Sequence, residues 1–384
     1  MRTGWFKVLA LTGLLGLCAY APLGSGAQGL GRTGVFRWEQ MRGATAGTDL
    51  TEADIEAFAR IGGKLLRVGF AARPLMRLTE PYDFDEGAFA YLEDVLDWCE
   101  PRGIRVLVDP HRFPGTQHPW TMLGNDPFWF DDKWHELAER LWSEVARRLA
   151  DRGAVVAGYD LLNQPEVPIP MEVDTPRDLN RLYARLIRAI RRYDRRHTIV
   201  LAAPRFVADG RMQPYHKGLA YLEIPDDPNV IFTTHSYNPM EFTHQGVGYA
   251  DDPPVTYPGW IGGEWWDKDR IAADHAPVVE FVRTTGRHVL IGEFSCPRWT
   301  GESGNRWLRD IIDVAEENGW SWAYHAWREA SIWDAEKSNF DRNDERRYDT
   351  TPRLELLRQY YLRNWEPPER RRLKIFRTLD RRSQ

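Results

Sequence analysis

Two short apolar runs end in side chains able to do chemistry. Val155–Glu166 (VVAGYDLLNQPE) ends in Asn163-Gln164-Pro165, and His288–Cys296 (HVLIGEFSC) carries Glu293 near its end. Apolar, β-branched runs that stop in polar residues are how a buried parallel strand delivers functional groups to a rim. A carboxylate at such a rim can attack as a nucleophile or move a proton. Two of them flanking a glycosidic bond divide those tasks in a retaining hydrolysis. Here one of the two positions is an amide, which neither donates nor accepts the catalytic proton.

The elements that must position these groups alternate. Leu65–Phe70, Arg105–Pro110, Val156–Leu162, Ile199–Ala203, Val230–His235, Val289–Phe294 and Ser321–Ala326 are short, apolar and β-branched or aromatic, and a first strand is expected near Phe36–Met41. Between several of them lie helical patterns. Ala88–Glu100 aligns Phe89, Leu92, Val95, Leu96 and Cys99; Lys133–Leu149 aligns Trp134, Leu137, Leu141, Val145 and Leu149; Leu179–Arg195 has a basic outer face. Strand–helix alternation implies parallel strands with right-handed crossovers, and eight such units closing on themselves give a single-domain (β/α)8 TIM barrel. An open doubly wound sheet competes, but no Gly-rich phosphate loop follows the first strand. In a barrel the strand ends converge on one mouth. That gathers Arg67, His111, Asn163, Gln164, His235, Tyr237, Glu293 and Trp327. Long loops at 111–132 and 238–268, rich in Trp, Tyr, Pro and Gly, fall where active-site loops belong.

This ordered set resembles glycoside hydrolase family 5 of clan A, which contains many cellulases and mannanases. The resemblance runs from about Arg42-Gly43 to Trp327 and includes Phe242-Thr243-His244-Gln245-Gly246. It implies that Glu293 is the nucleophile, with Arg67 and Tyr237 hydrogen-bonding its carboxylate. Asn163 would hold the sugar 2-hydroxyl, His111 and His235 would line the subsite, and Trp327 would be the platform beneath the ring. The substrate implied is a β-linked oligo- or polysaccharide, with glucan favoured.

Gln164 departs from the family pattern, which reads Asn-Glu-Pro where this chain has Asn163-Gln164-Pro165. The missing Glu supplies general acid/base catalysis, typically about 10²–10⁴-fold. Four readings stand: a hydrolase disabled by one isosteric exchange, natural or introduced; an enzyme for activated or thio-linked glycosides; an enzyme using another acid, with Glu166 the candidate; or a non-catalytic glycan-binding protein.

The remaining features bound the rest. A formal net charge of -5 gives no reason to expect nucleic acid. Residues 1–27 read as a signal peptide, with Arg2 and Lys7 before the apolar Val8–Tyr20 and small residues Gly24-Ser25-Gly26-Ala27 before Gln28; an uncleaved anchor is the alternative. The chain is therefore expected to be exported, secreted or periplasmic. Cys18 follows the bulky Leu17, unlike a lipoprotein signal, and processing leaves only Cys99 and Cys296, so no disulfide framework is expected. Residues 28–366 are assigned to the barrel and 367–384 to an Arg-rich tail. Membrane contact is expected only through the N-terminal segment or that tail, and the protein is expected to be a monomer. No cofactor or metal is expected: His135-Glu136 lacks a second His at zinc spacing, and no Gly-x-Ser-x-Gly elbow is present. Among 17 Trp, Trp120, Trp129, Trp260, Trp265 and Trp266 are candidate sugar platforms.

Overall fold

The computed structural model describes residues 38–247 and 254–365. The expected signal segment and the Arg-rich tail lie outside these residues. The described chain forms a closed barrel of eight parallel strands: β1 Arg42–Ala46, β2 Leu65–Gly69, β3 Arg105–Asp109, β4 Val156–Asp160, β5 Thr198–Ala202, β6 Val230–His235, β7 Val289–Phe294 and β8 Ser321–Tyr324. Each strand pairs with its sequence neighbours, and β1 closes the ring against β8, with Arg42 opposite Trp322.

The first strand is a correction. Phe36–Met41 is not a strand over its described residues; the barrel begins at Arg42. Trp38 and Met41 instead pack into the barrel floor with Leu65, Leu107, Ala157, Val200, Ile231 and Leu290. Aromatic and apolar residues that resembled a strand are thus a plug, while the strand itself is the small-residue run RGATA.

Above that floor, the two-residue period of a strand fixes what points inward. Arg67 stands above Leu65, Asp109 above Leu107, and Thr233 and His235 above Ile231. β7 breaks the rule usefully. Strict alternation from Leu290 would turn Gly292 inward and Glu293 outward. Register shifts against both neighbours fall between Ile291 and the residues that follow, so the strand bulges there. Glu293 consequently faces the barrel interior, and Phe294 packs outward on Trp322 with ring centroids 5.8 Å apart.

The first four crossover helices bury one apolar face each and start at side-chain caps, which draws their boundaries. α1 (Glu52–Arg60) opens on a Thr51/Asp54 capping box, and α2 (Glu86–Cys99) on Asp85. α3 (Asp132–Leu149) opens on Asp131 and α4 (Leu179–Arg191) on Asp178. α4 ends four residues before the expected Arg195. There Asp194 accepts backbone N–H groups of Arg196 and His197 at 2.8 and 3.0 Å, replacing helix with a turn. Additional hairpins, 206–208 with 211–213 and 259–261 with 264–266, rise from the loops after β5 and β6.

Candidate active site

The site is organised around Arg67, whose side chain is 1% exposed. Its Nε donates to Asp160 Oδ2 at 2.7 Å, Nη1 to Glu293 Oε1 at 2.7 Å, and Nη2 to Asn163 Oδ1 at 2.9 Å. Nη2 also lies 2.9 Å from Asp109 Oδ2. A buried charge is tolerable only when paired and hydrogen-bonded, and this guanidinium uses its planar fork to do both. Three carboxylates share one cation, so they cannot all ionise at equal cost.

Glu293 is the one best served. Tyr237 Oη donates to its Oε2 at 3.1 Å, and His235 Nδ1 lies 3.3 Å from the same oxygen. Burial opposes ionisation, but His235, His325 and Arg67 outweigh it and hold the carboxyl well below the ordinary glutamate range. Tyr237 is itself pushed well above the usual phenol range, by burial first and then by Glu293, so it remains a donor. Asp160 goes the other way: burial dominates, Asp109 and Glu293 add repulsion, and its carboxyl rises to about 7 despite Arg67. Its Oδ1 is buried without a hydrogen-bond partner.

Gln164 lies beside the same histidine. Its Nε2 is 3.0 Å from His235 Nδ1, the nitrogen that also faces Glu293. One ring nitrogen carries at most one proton, so it serves the carboxylate or the amide, not both. Burial lowers the proton affinity of His235 more than Glu293 raises it. Gln164 has φ 49° and His111 φ 65°, both in the left-handed region that non-glycine residues rarely occupy. Strain of that kind concentrates at functional sites. His111 Nδ1 lies 2.5 Å from Asp109 Oδ2, and its Nε2 lies 3.0 Å from Asn163 Nδ2. Burial disfavours a charged His111, but Asp109 raises its proton affinity overall. Since Asn163 Oδ1 accepts from Arg67, its Nδ2 is the donor, shared between His111 and the Trp120 carbonyl at 2.6 Å.

The structure therefore brings Arg67, His111, Asn163, Gln164, His235, Tyr237 and Glu293 into one network. The geometry is now matched by kinship. The cellulase family, glycosyl hydrolase family 5, matches residues 31–331. This chain belongs to that family. Among relatives, endoglucanase C of Acetivibrio thermocellus is 24% identical over 305 residues, covering 72% of this chain and 84% of its own length. Among solved structures, Cel5A of Thermotoga maritima in complex with cellobiose has 23% identity and a TM-score of 0.62, covering 83% of this chain and 97% of its own. The same protein's structure with mannotriose gives a TM-score of 0.63 at 23% identity, with the same coverage of both chains.

One expected residue of the family 5 set is placed elsewhere. Trp327 is only 4% exposed; it packs on Phe58 with centroids 5.3 Å apart, and its Nε1 donates to the Asp54 carbonyl at 3.1 Å. Phe58 and Asp54 of α1 engage the ring and its polar edge, and the Arg328 guanidinium lies 5.0 Å from the ring centroid, so it is a core residue and not a platform. His325, two residues earlier, sits on the Glu293 side instead, its Nδ1 2.8 Å from Thr45 Oγ1 and its ring 5.9 Å from Trp333. The sequence pointed to this residue only through its place at the end of the last strand. Asp160 was likewise missed, because an acid inside an apolar run looks like any strand residue. The segment 242–246 acts as a brace: Thr243 Oγ1 donates to the Tyr237 carbonyl at 2.5 Å, and the His244 ring packs 5.2 Å from that of Tyr237.

Of the five candidate tryptophan platforms in this family 5 chain, Trp129 and Trp266 are buried, whereas Trp120, Trp260 and Trp265 are exposed. Glu166 pairs with Arg205 at 3.1 Å. Among the described residues, no three or more His, Cys, Asp or Glu side chains are grouped to hold a metal ion.

Proposed function

We propose that this chain acts on β-linked glucan through a covalent glycosyl-enzyme at Glu293, with position 164 as the acid/base site and Gln164 reducing turnover of unactivated glycans. The observation that carries the reading is the hold on Glu293: a buried, ionised carboxylate aimed by Arg67 and Tyr237, with His235 Nδ1 within reach of both that carboxylate and Gln164. Glu293 would attack the anomeric carbon while the C1–O electron pair leaves with the departing oxygen. With Gln at 164 that oxygen receives no proton from the protein, so only good leaving groups depart readily. Water entering the second step likewise finds no base. The glucan assignment rests on the relatives, endoglucanase C and the cellobiose complex of Cel5A; the mannotriose complex of that protein makes mannan the competing sugar. Export of the processed chain belongs to the same proposal.

Glu166 does not suit the missing role, since Arg205 already engages its carboxylate. The reading that a specific observation favours second is glycan binding without turnover. Asn163, the residue assigned to a sugar hydroxyl, has its amide hydrogens committed to His111 and Trp120.

The test compares the chain with its Gln164→Glu variant on unactivated β-glucan and on a dinitrophenyl β-cellobioside, with azide as a nucleophile for the second step. The proposal expects covalent labelling of Glu293 by a 2-fluoro cellobioside, azide acceleration in the present chain, and a gain of about 10²-fold or more on glucan in the variant. Absence of any label or turnover in both proteins would remove the enzyme reading.

A further inference from the structure

Two side chains beside position 164 carry hydrogen-bond donors that the protein itself leaves unused. Arg205, after β5, is stitched to the segment after β4. Its N–H donates to the Pro165 carbonyl at 2.8 Å, and the Val167 N–H donates to its carbonyl at 3.2 Å. This parallel bridge sets Arg205 level with Glu166, two residues past Gln164. Nη2 donates to Glu166 Oε2 at 3.1 Å, while Nε is buried without a partner. Other guanidinium groups near the mouth are spent. Arg67 is shared among Asp109, Asp160, Asn163 and Glu293, and Arg328 divides its fork between Asp54 and Glu336. A buried donor left unmatched is costly, and water or a ligand is the usual resolution.

Tyr215 is the second. It opens the short helix Tyr215–Gly218, and its ring packs on that of His235 with centroids 5.7 Å apart. The Arg205 guanidinium lies 5.5 Å from the Tyr215 ring centroid. Tyr215 therefore touches both the cation and the imidazole that reaches Gln164. Buried tyrosines normally place their hydroxyls. Tyr237 donates to Glu293, Tyr183 to the Ala202 carbonyl and Tyr361 to the Gly43 carbonyl. Tyr215 is 7% exposed, yet its hydroxyl makes no hydrogen bond with the described residues. Burial pushes its phenol up; Arg205 opposes this, and Glu293 and Glu166 reinforce it, so the hydroxyl stays a donor. Both groups thus flank the position where a proton donor is missing. Without that proton the departing atom keeps the electron pair of its bond to C1, and a fixed cation with a neutral donor stabilises such developing charge.

Resting on the retaining reading above, we propose that Arg205 and Tyr215 form an anion-stabilising face for the departing group, suited to β-glycosides whose aglycone is a weak acid. Glu293 attacks C1, the C1–O bond breaks, and its electron pair stays on the aglycone oxygen. That oxygen accepts hydrogen bonds from the guanidinium and the phenol and receives no proton. Water then attacks C1, frees the Glu293 carboxylate and loses its proton to solvent.

The experiment uses the full chain, Arg205→Met, Arg205→Lys and Tyr215→Phe, with two substrates that share a cellobiosyl group. Dinitrophenyl β-cellobioside releases an anion, whereas β-cellobiosyl pyridinium releases neutral pyridine. Rapid-mixing measurement of aglycone release reads the first step for each. Arg205→Met should lose about 10²-fold on the dinitrophenyl substrate and less than about threefold on the pyridinium salt. Arg205→Lys should recover part of that loss, and Tyr215→Phe should lose about tenfold on the dinitrophenyl substrate alone. Retained pyridinium turnover shows that each variant is folded. Equal losses on both substrates would reduce the two residues to structural supports and overturn the proposal, as would unchanged rates on both. If the parent chain releases neither aglycone and Glu293 takes no 2-fluoro label, the retaining reading fails and this inference goes with it.

Discussion

β4 and β7 each send a carboxylate to Arg67, yet the two groups shift in opposite directions. Glu293 of β7 receives Arg67, Tyr237 and His235 and is held well below its usual range. Asp160 of β4 shares the same guanidinium but leaves one oxygen without a partner, and it rises to about 7. At the mouth the contrast repeats, since β7 presents an ionised group and the segment after β4 presents the neutral Gln164. One cation cannot neutralise every acid around it, so the number of additional donors decides which acid keeps its charge. On the function proposed above, Glu293 supplies the nucleophilic half of a retaining site, and position 164 would hold the proton-transfer half without a titratable group.

Removing the ionised half should have the largest effect. Glu293→Gln is expected to abolish covalent labelling by a 2-fluoro glycoside, a loss on the order of 10⁴-fold or more, measured by intact-mass spectrometry. Labelling that persisted would place the nucleophile elsewhere and dissolve the contrast. Restoring the other half comes next. Gln164→Glu should raise hydrolysis of unactivated β-glucan by about 10²–10⁴-fold and introduce an alkaline limb in kcat/KM that the present chain lacks. A variant equal to the parent on glucan would mean that β4 never supplied the proton.

The bulge in β7 offers a third way to disturb the comparison, since it alone turns Glu293 inward. A Cβ on Gly292 would sit 2.5 Å from Thr233 Oγ1 and 3.1 Å from His235 Nε2. Gly292→Ala should cost about 1–3 kcal/mol in urea unfolding through overpacking, and should displace the imidazole that links Glu293 to Gln164. If stability and labelling rate both stay at parental values, the close approach at Gly292 does not fix the site.

Much of this was legible in the chain. Val230–His235 and Val289–Phe294 have the same limits in sequence and structure, because β-branched runs between breakers leave little freedom. The polar residues at strand ends were readable for the same reason. Three features were not. The bulge was hidden, since alternation along HVLIGEF puts Glu293 on the wrong face and only Gly292 hints otherwise. Trp327, expected at the mouth, packs into the core because the chain leaves β8 after Tyr324, where strand alternation no longer sets which way a side chain points. Trp38 and Met41 imitated a strand because floor plugs and strands call on the same apolar residues. Long-range partners decide each of these, and none is local in sequence.

The smallest predicted effect tests the raised acid directly. A carboxyl with a folded pKa near 7 holds a proton that the unfolded chain, titrating near 3.8, gives up. Between those values the native state binds more protons, so Asp160 makes stability fall as pH rises from about 4 to about 7, and adds no further slope above that. Glu293, shifted downward, acts in the opposite sense: its contribution is present above its unfolded pKa and lost only in acid. Asp160→Asn cannot ionise, while its side-chain oxygen can still accept from Arg67 Nε. Its unfolding free energy should therefore lack a decline of about 1–2 kcal/mol that the parent shows between pH 5 and 7. An identical pH slope in both proteins would mean that Asp160 ionises normally beside Arg67, and that β4 and β7 treat their carboxylates alike.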